Sequence, residues 1–335
     1  MNNNKILTIS VAAYNLEKLI KQNIESFIKS NVREKIEIIV TDDESKDSTP
    51  EIVEEYQKQY PGIVRLIRQK NAGPGSTVNS GIKNATGKYF KMVDGDDWVQ
   101  TDNLEYLINC LETSDEEMIL TNYDVFDDKE QEIISTEKIN LKSEVTYKFE
   151  DICENINLQM HSVMFKTEIL QKNNIVLDNG FYTDVEYLLL PVPYINTVKY
   201  IDKNIYVYRI AQAGQSVSIP SMQKNIHMHE IVLKRLISFY EENKKILNKQ
   251  KLKYLVNRIG IMADTQLGTL LTFKQNAETK SKIKQFNIDL KEMSIDIYKQ
   301  YKKSKKAKMV IYSNYFLNSL ASKMFVNKLN KKKGI

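Results

Sequence analysis

The first 125 residues alternate between two patterns of apolar positions. The run ILTISVAA (6–13) is almost continuously apolar and predicts a buried strand, while the next segment, 16–30, places its apolar residues on one face of a helix. Further strands are expected at 37–40, 63–68, 88–93 and 117–126, and further helices from Thr49, near 76–85 and near 101–112. Strands that alternate with helices predict an α/β fold with a Rossmann-like, mostly parallel central sheet and helices on both faces.

The rest of the chain divides into two regions by its periodicity. Residues 127–218 mix polar loops with strand-like pieces at 197–201 and 204–210, and we interpret them as a continuation of the same domain that covers its crevice. From about residue 222 the apolar positions follow a helical period. The sequence therefore predicts a first domain at 1–218, with halves 1–125 and 126–218, and an α-helical C-terminal region at 219–335.

Polar residues gather where the first four predicted strands end. In a parallel sheet these ends face one crevice, where backbone amides and helix N-termini receive ligands. The segments at the four ends are Ala13-Tyr14-Asn15, Asp42-Asp43, Asn71-Ala72-Gly73 and Asp94-Gly95-Asp96-Asp97. We therefore expect the binding site to lie along this edge of the sheet.

The fourth strand end, KYFKMVDGDDW (88–98), crowds three carboxylates around one glycine. Like charges this close raise one another's pKa unless a cation lies between them. Because Mg²⁺ and Mn²⁺ prefer oxygen ligands, Asp94 and Asp96 can hold one divalent ion that carries a diphosphate. By spacing alone, a solvated turn that caps the helix near Thr101 remains the alternative. A calcium loop is disfavoured because Val99 stands where that loop needs Gly.

Four segments, in this order and spacing, carry a resemblance to a known family: ISVAAYN, EIIVTDDESKDST, NAGPGSTVNSGIKNATGKYF and MVDGDDW. They resemble the family 2 glycosyltransferases, which are inverting, nucleotide-sugar-dependent enzymes of the GT-A fold. Four ordered motifs are more specific than a single acidic pair. The resemblance continues in GFYTDVEYLLLP and VYRIAQAGQSVS, so it covers roughly residues 5–218.

The resemblance implies a role for each matching position. Asp184 is expected to be the general base, Asp43 to hydrogen-bond a uracil-type base, and the DXD pair Asp94 and Asp96 to hold the divalent metal, Mn²⁺ or Mg²⁺. The implied nucleotide-sugar-binding residues are Ala12, Tyr14, Asn15, Asp43, Asn71, Gly73, Asp94, Gly95, Asp96, Asp97 and Trp98. The residues assigned to the acceptor or to a closing loop are His161, Arg209 and Ser216. Packed core positions are the competing interpretations for Trp98 and His161. For Asp184 the alternative is a surface Asp or one that caps the helix ahead of VEYLLL.

This sequence departs from the family pattern at four positions. Ala12 stands where the family usually has Pro, Glu44 where it has Gly, Val78 where an Arg is common and Thr183 where a Glu often precedes the base. Loss of a guanidinium at position 78 would place more of the diphosphate charge on the metal. The carboxylates assigned to the metal and to the base are all retained.

Charge is unevenly distributed along the chain. Residues 301–335 contain ten lysines and no acidic residue, so the net charge of +5 leaves −5 for the first 300 residues. Segment 309–326 would form a helix with one apolar stripe between lysine-rich ends. The stripe consists of Tyr312, Phe316, Leu320 and Met324. Such a helix suits an anionic membrane surface, or its stripe can pack on the first domain or on a second copy in a homo-oligomer. Nucleic acid is disfavoured, because no aromatic and basic interleaving accompanies the lysines.

Cysteine usage and targeting signals indicate a compartment. Cys110 and Cys153 are isolated from other cysteines and from histidines, which argues against a disulfide framework or a zinc site and favours two buried free thiols. The N-terminus lacks the pattern of a signal peptide, and no stretch reaches the ~18 apolar residues of a membrane span. We expect a cytoplasmic protein that can lie peripherally at the inner face of the cell membrane.

Together with these patterns, the resemblance to family 2 glycosyltransferases implies one main hypothesis and leaves one alternative. The chain is expected to be an inverting, metal-dependent hexosyltransferase that moves a sugar from a UDP-sugar to a hydroxyl of a glycan or lipid-linked acceptor, in bacterial cell-surface polysaccharide or glycoconjugate synthesis. The alternative is an inactive GT-A module that binds nucleotide or glycan, which the changes at Glu44 and Val78 permit. A nucleotidyltransferase is disfavoured, because no glycine-rich, arginine-bearing loop follows the first strand.

Overall fold

The chain forms two compact units, Met1–Ala213 and Gly214–Ile335. The computed structural model describes residues 5–211 and 218–332 of the 335-residue sequence. In these ranges the first unit contains a sheet together with helices, and the second unit consists of helices. The expected class, an α/β domain followed by an α-helical region, is confirmed.

One sheet contains all the strands of the described ranges. The strands are β1 Leu7–Ala13, β2 Ile36–Asp42, β3 Val64–Arg68, β4 Tyr89–Asp94, β5 Trp98–Val99, β6 Met118–Asp127, β7 Glu132–Glu137, β8 Thr146–Lys148, β9 Val163–Lys166 and β10 Thr197–Ile210. Their order is β3-β2-β1-β4-β9-β6-β10-β5, with β7 on β6 and β8 on β10. Strands β1 to β4 pair in parallel, and β10 is parallel to β6, whereas β9 is antiparallel to both β4 and β6. The sheet is therefore parallel in its first half and mixed in its second half.

Burial explains the continuous apolar runs in the parallel half. All seven residues of β2 are buried, and so are all residues of β1 except the partly exposed Ala12. Because successive side chains point to opposite faces of a sheet, this pattern means that both faces are covered. Of these two strands, only β1 is partly exposed near its carboxyl end, at Ala12.

The helices of the first unit include the four that were predicted, three of which begin close to the expected position. They are α1 Ile20–Ile28, α2 Thr49–Gln59, α3 Pro74–Asn84, α4 Thr101–Thr113, α5 Phe149–Ile152, α6 Thr167–Lys172 and α7 Thr183–Leu189. The helix expected from residue 16 begins at Ile20, and a turn precedes it in which the Leu19 N–H donates to the Leu16 carbonyl at 2.9 Å. Both cysteines are free; Cys153 is buried as expected, but Cys110 is partly exposed.

Strand β10 joins two pieces that the sequence suggested were separate. Its pairing with β6 is irregular between Ile201 and Asn204 and again between Asn204 and Tyr206, as expected of a β-bulge. Beyond the irregularity, Tyr206 and Tyr208 lie two residues apart and share one face of the strand. This end of β10 carries residues that reach the end of β4.

The second unit is built around α10. Its helices are α8 Ile219–Lys224, α9 Ile226–Asn243, α10 Lys249–Thr272, α11 Ala277–Met293, α12 Ile295–Tyr301, α13 Lys305–Tyr312 and α14 Asn318–Lys332. Helix α10 packs against α9, α12 and α14, and it buries Leu255, Ile259 and Leu267. Ser or Asn side chains cap α8, α10, α11, α12 and α13 by accepting a backbone N–H.

The single helix predicted over 309–326 is wrong. Helix α13 ends at Tyr312 and α14 begins at Asn318. Between them Asn314 and Tyr315 adopt left-handed φ values of 49° and 66°, which stop a right-handed helix although the apolar period continues through the break. None of the helices in the described ranges is long and apolar enough to cross a membrane.

Candidate active site

The acidic turn, residues 94–97, follows β4 directly. The Asp97 N–H donates to the Asp94 carbonyl at 3.1 Å and closes the turn. Gly95 is required here, because a Cβ would lie 2.7 Å from the carbonyl oxygen of Ala12 and 2.4 Å from Leu16 Cδ1. The turn is therefore packed against the end of β1, in the sheet register that pairs Ala12 with Asp94.

A buried amide on α1 holds both ends of this turn. Asn23 is fully buried, and its Nδ2 donates to the carbonyl of Asp94 at 3.1 Å and to that of Asp97 at 2.8 Å. The sequence analysis missed this residue. The available signal was a polar side chain between Ile20 and Ile24 on the apolar face of a helix.

Asp97 is the most enclosed of the three carboxylates, with 2% of its surface exposed. Its Oδ2 accepts a hydrogen bond from Tyr206 Oη at 2.5 Å, and its Oδ1 accepts one from the Arg209 N–H at 2.7 Å. Tyr206 Oη in turn accepts from the Asp94 N–H at 3.1 Å. Burial, followed by the charges of Asp96 and Asp94, raises the pKa of Asp97 well above its usual value. Asp97 therefore links the acidic turn to β10.

The Asp94 carboxyl lies within the electrostatic influence of a carboxylate on α7. Burial, followed by the negative charges of Asp96 and Asp184, raises the pKa of Asp94 to about 7. Asp184 lies in the first turn of α7 and is partly exposed. The structure thus brings Asp184, assigned as the base, near Asp94, assigned to the metal. The two are about 90 residues apart in sequence, because connections between parallel strands are long.

Arg209 is held among side chains around the turn. It is 7% exposed, its Nε donates to the Asp96 carbonyl at 3.0 Å, and its Nη1 pairs with Asp128 Oδ1 at 2.5 Å. The guanidinium carbon lies 4.6 Å from the centroid of the Trp98 ring, which meets Phe126 edge-on. Burial raises the pKa of Asp96, and Arg209 opposes that rise. Trp98 is thus packed on one side, and its contact with a sugar stays a prediction.

His161 lies among three tyrosine rings beside the acidic turn. Its ring stacks on Tyr208 with centroids 4.4 Å apart, and it meets Tyr206 and Tyr123 at 4.8 and 4.9 Å. Burial, followed by the charge of Lys91, lowers the pKa of His161 to about 3, so the ring is neutral at pH 7. Its Nδ1 is buried and has no hydrogen-bond partner among the described residues. A neutral imidazole nitrogen in this condition can still coordinate a metal.

Lys91 is a buried cation in β4, three residues before Asp94. It is fully buried, its Nζ donates to the His161 carbonyl at 2.7 Å, and it lies 5.3 Å from the centroid of the Tyr206 ring. Burial lowers the pKa of Lys91 to about 7. The sequence analysis missed Lys91 and Tyr206. A lysine inside the apolar run KYFKMV was the signal for the first.

A divalent cation fits the residues that converge here. Asp94, Asp97 and His161 can each offer one ligand atom, and these atoms lie within 4.8 Å of one another. Two carboxylate oxygens and one imidazole nitrogen suit Mn²⁺ or Mg²⁺, and the cation's charge would reverse the causes that raise the carboxylate pKa values. The predicted ligand Asp94 belongs to this group. The ligand role of Asp96 stays a prediction.

Asp43, at the end of β2, organises the loop that precedes α3. Its carboxylate accepts hydrogen bonds from the Ala72 N–H at 3.0 Å, the Gly73 N–H at 2.9 Å and Gln69 Nε2 at 2.8 Å. Asn71 Nδ2 donates to the Asp43 carbonyl at 3.0 Å. Asp43, Asn71 and Gly73, which were assigned to one ligand, therefore form one hydrogen-bonded group. The contact of Asp43 with a base stays a prediction.

Gly73 is the place where this loop meets the segment that leads to α7. Its φ of 92° and ψ of 164° suit only glycine, and a Cβ would lie 2.2 Å from the carbonyl oxygen of Asn179. Nearby, Asn79 Nδ2 donates to the Leu177 carbonyl at 2.9 Å, and the Leu177 N–H donates back to Asn79 Oδ1 at 2.8 Å. These contacts anchor the segment that carries Asp184.

The loop after β1 is fixed to the loop after β2. Asn15 has a left-handed φ of 54°; its N–H donates to Ser45 Oγ at 2.9 Å, and its Oδ1 accepts from the Lys46 N–H at 2.8 Å. Tyr14, beside it, is 50% exposed at the edge of the sheet. Glu44 also has a left-handed φ, of 66°. This conformation explains why the family usually has Gly at that position.

Two other positions singled out in the sequence have different outcomes. Val78, which replaces a common Arg, is buried on α3 and 2% exposed, so an apolar residue suits its surroundings. Ser216, assigned to a closing loop together with Arg209, lies outside the described residues. The closing of that loop over a diphosphate therefore stays a prediction.

The sheet order and the acidic strand ends together define a GT-A domain, the fold class that the sequence predicted. A crystal structure of S. aureus TarS 1-349 has this fold, with a TM-score of 0.63, 17% sequence identity, and coverage of 99% of this chain and 92% of that chain. Residues 8–173 match the model of Glycosyl transferase family 2. Through these residues the chain is similar to that family, and the predicted resemblance is confirmed.

Curated relatives agree with the family. The glycosyltransferase EpsJ of Bacillus subtilis (strain 168) is 28% identical over 211 residues, which are 61% of this chain and 61% of EpsJ. Glycosyltransferase GlyA of Streptococcus pneumoniae is 25% identical over 224 residues, 63% of this chain and 31% of GlyA. Poly(ribitol-phosphate) beta-glucosyltransferase of Bacillus spizizenii is 37% identical over 100 residues, 29% of this chain and 16% of that protein. The chain thus spans less than two thirds of the length of these relatives.

Proposed function

We propose that this chain is an inverting glycosyltransferase that transfers a sugar from a UDP-sugar to a hydroxyl group of a glycan or lipid-linked acceptor. The observation that carries the proposal is the convergence of Asp94, Asp97 and His161 within 4.8 Å, with Asp184 close enough to raise the pKa of Asp94. The first three residues can hold a cation that binds a diphosphate. The Asp184 carboxylate can accept a proton from the acceptor hydroxyl.

Similar proteins support the choice of donor and acceptor. Crystal structures of S. aureus TarS 1-349 are complexes with UDP and with UDP-GlcNAc. Two relatives of the matched region are named poly(ribitol-phosphate) beta-glucosyltransferase and minor teichoic acid biosynthesis protein GgaB. We therefore propose a UDP-hexose or UDP-N-acetylhexosamine as donor, and a role in the synthesis of a bacterial cell-surface polysaccharide or glycoconjugate.

The proposed cation ligands are Asp94, Asp97 and His161, with Asp96 as a further ligand. When bound, Mn²⁺ or Mg²⁺ supplies positive charge that stabilises the departing diphosphate. The chain prepares this site in advance, because the hydrogen bonds from Tyr206 and from the Arg209 N–H fix the Asp97 carboxylate. A fixed ligand set loses less entropy when the cation and the donor bind.

Asp184 is the proposed general base. The acceptor oxygen forms a bond to the anomeric carbon while the bond from that carbon to the diphosphate oxygen breaks, and the hydroxyl proton passes to the Asp184 carboxylate. A single displacement of this kind inverts the anomeric centre. Asp184 lies in the first turn of α7, so the N-terminal end of the helix stabilises its charged carboxylate before the proton arrives.

UDP release tests the proposal directly. The full chain is incubated with a panel of UDP-sugars, Mn²⁺ and hydroxyl acceptors, and Asp184→Asn is compared with Asp102→Asn. Asp102 is the matched control, since each Asp is the second residue of its helix and Asp102 is exposed on α4. We expect Asp184→Asn to retain UDP binding but to lose turnover by about 10²- to 10⁴-fold. Undiminished turnover in Asp184→Asn would remove it as the base.

A second measurement addresses the cation. Binding of UDP is followed by calorimetry with Mn²⁺ and with a chelator, for the unmodified chain, Asp94→Asn and Asp96→Asn. We expect Mn²⁺ to strengthen UDP binding in the unmodified chain and to have little effect in the two variants. Tight binding of UDP-sugars without UDP release, over the whole acceptor panel, would instead favour a module that binds nucleotide sugars without catalysis.

A further inference from the structure

The C-terminal unit exposes a cluster of large apolar side chains near its end. Their exposed fractions are 72% for Tyr312, 86% for Phe316, 41% for Leu317, 47% for Leu320 and 57% for Met324. Phe316 is the most exposed large apolar side chain in the described part of the chain. These five residues, named here the tail patch, are therefore not part of a core. Clustered exposed apolar side chains of this size mark a binding surface.

The backbone of the turn between α13 and α14 is fixed by hydrogen bonds. The Phe316 N–H donates to the Ser313 carbonyl at 3.0 Å, and the Leu317 N–H donates to Ser313 Oγ at 3.1 Å. Asn314 and Tyr315, in left-handed conformations, separate the two helices. Phe316 thus projects from an ordered turn.

Exposed lysines adjoin the tail patch on both helices. They are Lys305, Lys308, Lys323 and Lys328. On α13, Lys305 and Lys308 precede Tyr312 by seven and four residues, so all three share one face of the helix. On α14, Lys323 is adjacent to Met324, and Lys328 follows it by one helical turn. The surface therefore combines apolar side chains with positive charges.

The positive charge of this surface is not neutralised by acidic residues of its own segment, 301–335. Residues 301–335 contain no Asp or Glu. Asp264 of α10 lines a cavity of about 440 Å³ together with Met324, Phe325 and Lys328, but its carboxylate is paired with Lys306 at 3.1 Å. The four exposed lysines form no ion pair with a described residue.

We propose that the tail patch docks onto a lipid bilayer with anionic headgroups. The apolar side chains enter the interface between headgroups and acyl chains, while the lysines meet the lipid phosphates. Charge complementarity favours this occupant over a second copy of the chain. A symmetric dimer through the patch would bring the same lysines together with no carboxylate between them, whereas an anionic bilayer offers both an apolar interior and negative charge.

Vesicle flotation tests the proposal with the full chain. Vesicles of phosphatidylcholine alone are compared with vesicles of phosphatidylcholine and phosphatidylglycerol, at low and at high salt. We expect binding to the anionic vesicles only, weakened by salt. Lys305→Gln with Lys308→Gln should weaken binding by roughly 25-fold, since each lysine near an anionic surface contributes about fivefold. Phe316→Ser with Leu320→Gln should weaken it by about tenfold or more.

Matched controls separate the patch from general effects. Ile261→Gln removes another apolar side chain of the same unit, 61% exposed on α10, and should leave vesicle binding unchanged. Circular dichroism verifies that the variants fold, and the lysine variant tests the surface without altering an apolar residue. The proposal is overturned if the unmodified chain does not bind anionic vesicles, or if both double variants bind as it does. It is also overturned if sizing shows a dimer that Phe316→Ser dissociates, because the patch is then an interface between copies.

Discussion

The fold itself disfavours the charged form of the Asp94 carboxyl. A free Asp side chain has a pKa of about 3.9, whereas burial and the neighbouring charges of Asp96 and Asp184 raise that of Asp94 to about 7. A protein that holds a charged carboxylate in such a place loses stability. A bound cation restores that stability by mass action. At the scale of one residue, the site is therefore arranged for a positive ligand.

This arrangement predicts a pH-dependent effect of Asp94→Asn in the presence of a chelator. Between about pH 4 and about pH 7 the native Asp94 keeps a proton that the unfolded chain has lost, so its contribution to the free energy of unfolding falls as pH rises. Asn resembles the neutral acid and lacks this loss. We expect the stability of Asp94→Asn relative to the unmodified chain to increase with pH up to about 7 and then to level off, as measured by urea unfolding.

The quantity to measure is the difference in unfolding free energy between the unmodified chain and Asp94→Asn. His161 gives the free energy of each protein a pH dependence of opposite slope. Its pKa is lowered to about 3, so the stability associated with the neutral ring is present above the unfolded pKa of about 6.5 and is lost as pH falls toward 3. Subtracting the two curves removes the part of this contribution that does not depend on Asp94. A difference that does not vary with pH would show that Asp94 is not the perturbed carboxyl.

At the scale of elements, α1 positions the acidic turn through one side chain. Asn23 donates to the carbonyls of Asp94 and Asp97, so the geometry of the turn depends on a helix about 70 residues earlier in the sequence. A functional geometry supported by a second layer of side chains is displaced when that layer is removed. Asn23 is therefore a positioning residue in the proposed enzyme.

Asn23→Ala should reduce turnover more than it reduces stability. Its matched control is Asn103→Ala, because Asn103 Nδ2 makes the same kind of bond, to the Asn204 carbonyl at 2.8 Å, away from the acidic turn. Each variant should lose about 1–3 kcal/mol in urea unfolding. Only Asn23→Ala should also lower the rate of UDP release, by up to about 100-fold, because the metal ligands shift. Equal rates in the two variants would contradict the positioning role.

The loop contact at Gly73 has a control elsewhere in the same unit. Gly73 and Gly62 both have positive φ values, of 92° and 79°, but a Cβ at Gly73 would lie 2.2 Å from the Asn179 carbonyl oxygen, whereas at Gly62 nothing lies within 4 Å. Gly62→Ala should cost about 1–2 kcal/mol of unfolding free energy from its backbone conformation alone. Gly73→Ala should cost about 3 kcal/mol or more. Equal losses would show that the close approach to Asn179 is relaxed at no cost.

The sequence was informative where the chemistry of the site is local. The acidic turn, Asp43 and Asn15 all follow strands whose apolar runs are visible in the sequence, so their common edge could be predicted from the topology rule alone. Packing between distant segments could not be predicted in this way. Lys91, His161 and Tyr206 meet because β9, which directly follows His161, returns beside β4, and because Tyr206 on the more distant β10 reaches back to the end of β4.

The break between α13 and α14 shows another limit of pattern reading. Tyr312, Phe316, Leu320 and Met324 recur every fourth residue, which is the period of one continuous helix. The chain instead turns at Asn314 and Tyr315, a choice made by backbone conformation that an apolar period does not report. The pattern nevertheless selected side chains that share one property, since all four are exposed in the structure.

At the scale of the whole molecule, chemistry and charge lie in different parts of the chain. The site residues that the structure describes, from Ala12 to Arg209, belong to the first unit, and the tail patch belongs to the second. The ten lysines of residues 301–335 outweigh a net charge of −5 in the other 300 residues. A charge distribution of this kind can orient the protein at an anionic surface without involving the site.

This separation predicts different effects on two forms of one assay, given the proposed transferase and the proposed bilayer contact. In Phe316→Ser with Leu320→Gln, UDP release with a soluble acceptor should equal that of the unmodified chain, because no residue of the site is changed. With an acceptor anchored in anionic vesicles, the rate should fall by about tenfold, since the bilayer no longer concentrates the enzyme beside its acceptor. Ile261→Gln should match the unmodified chain in both forms. Equal losses in both would show that the patch supports the folded state, and no loss in either would show that transfer does not depend on docking.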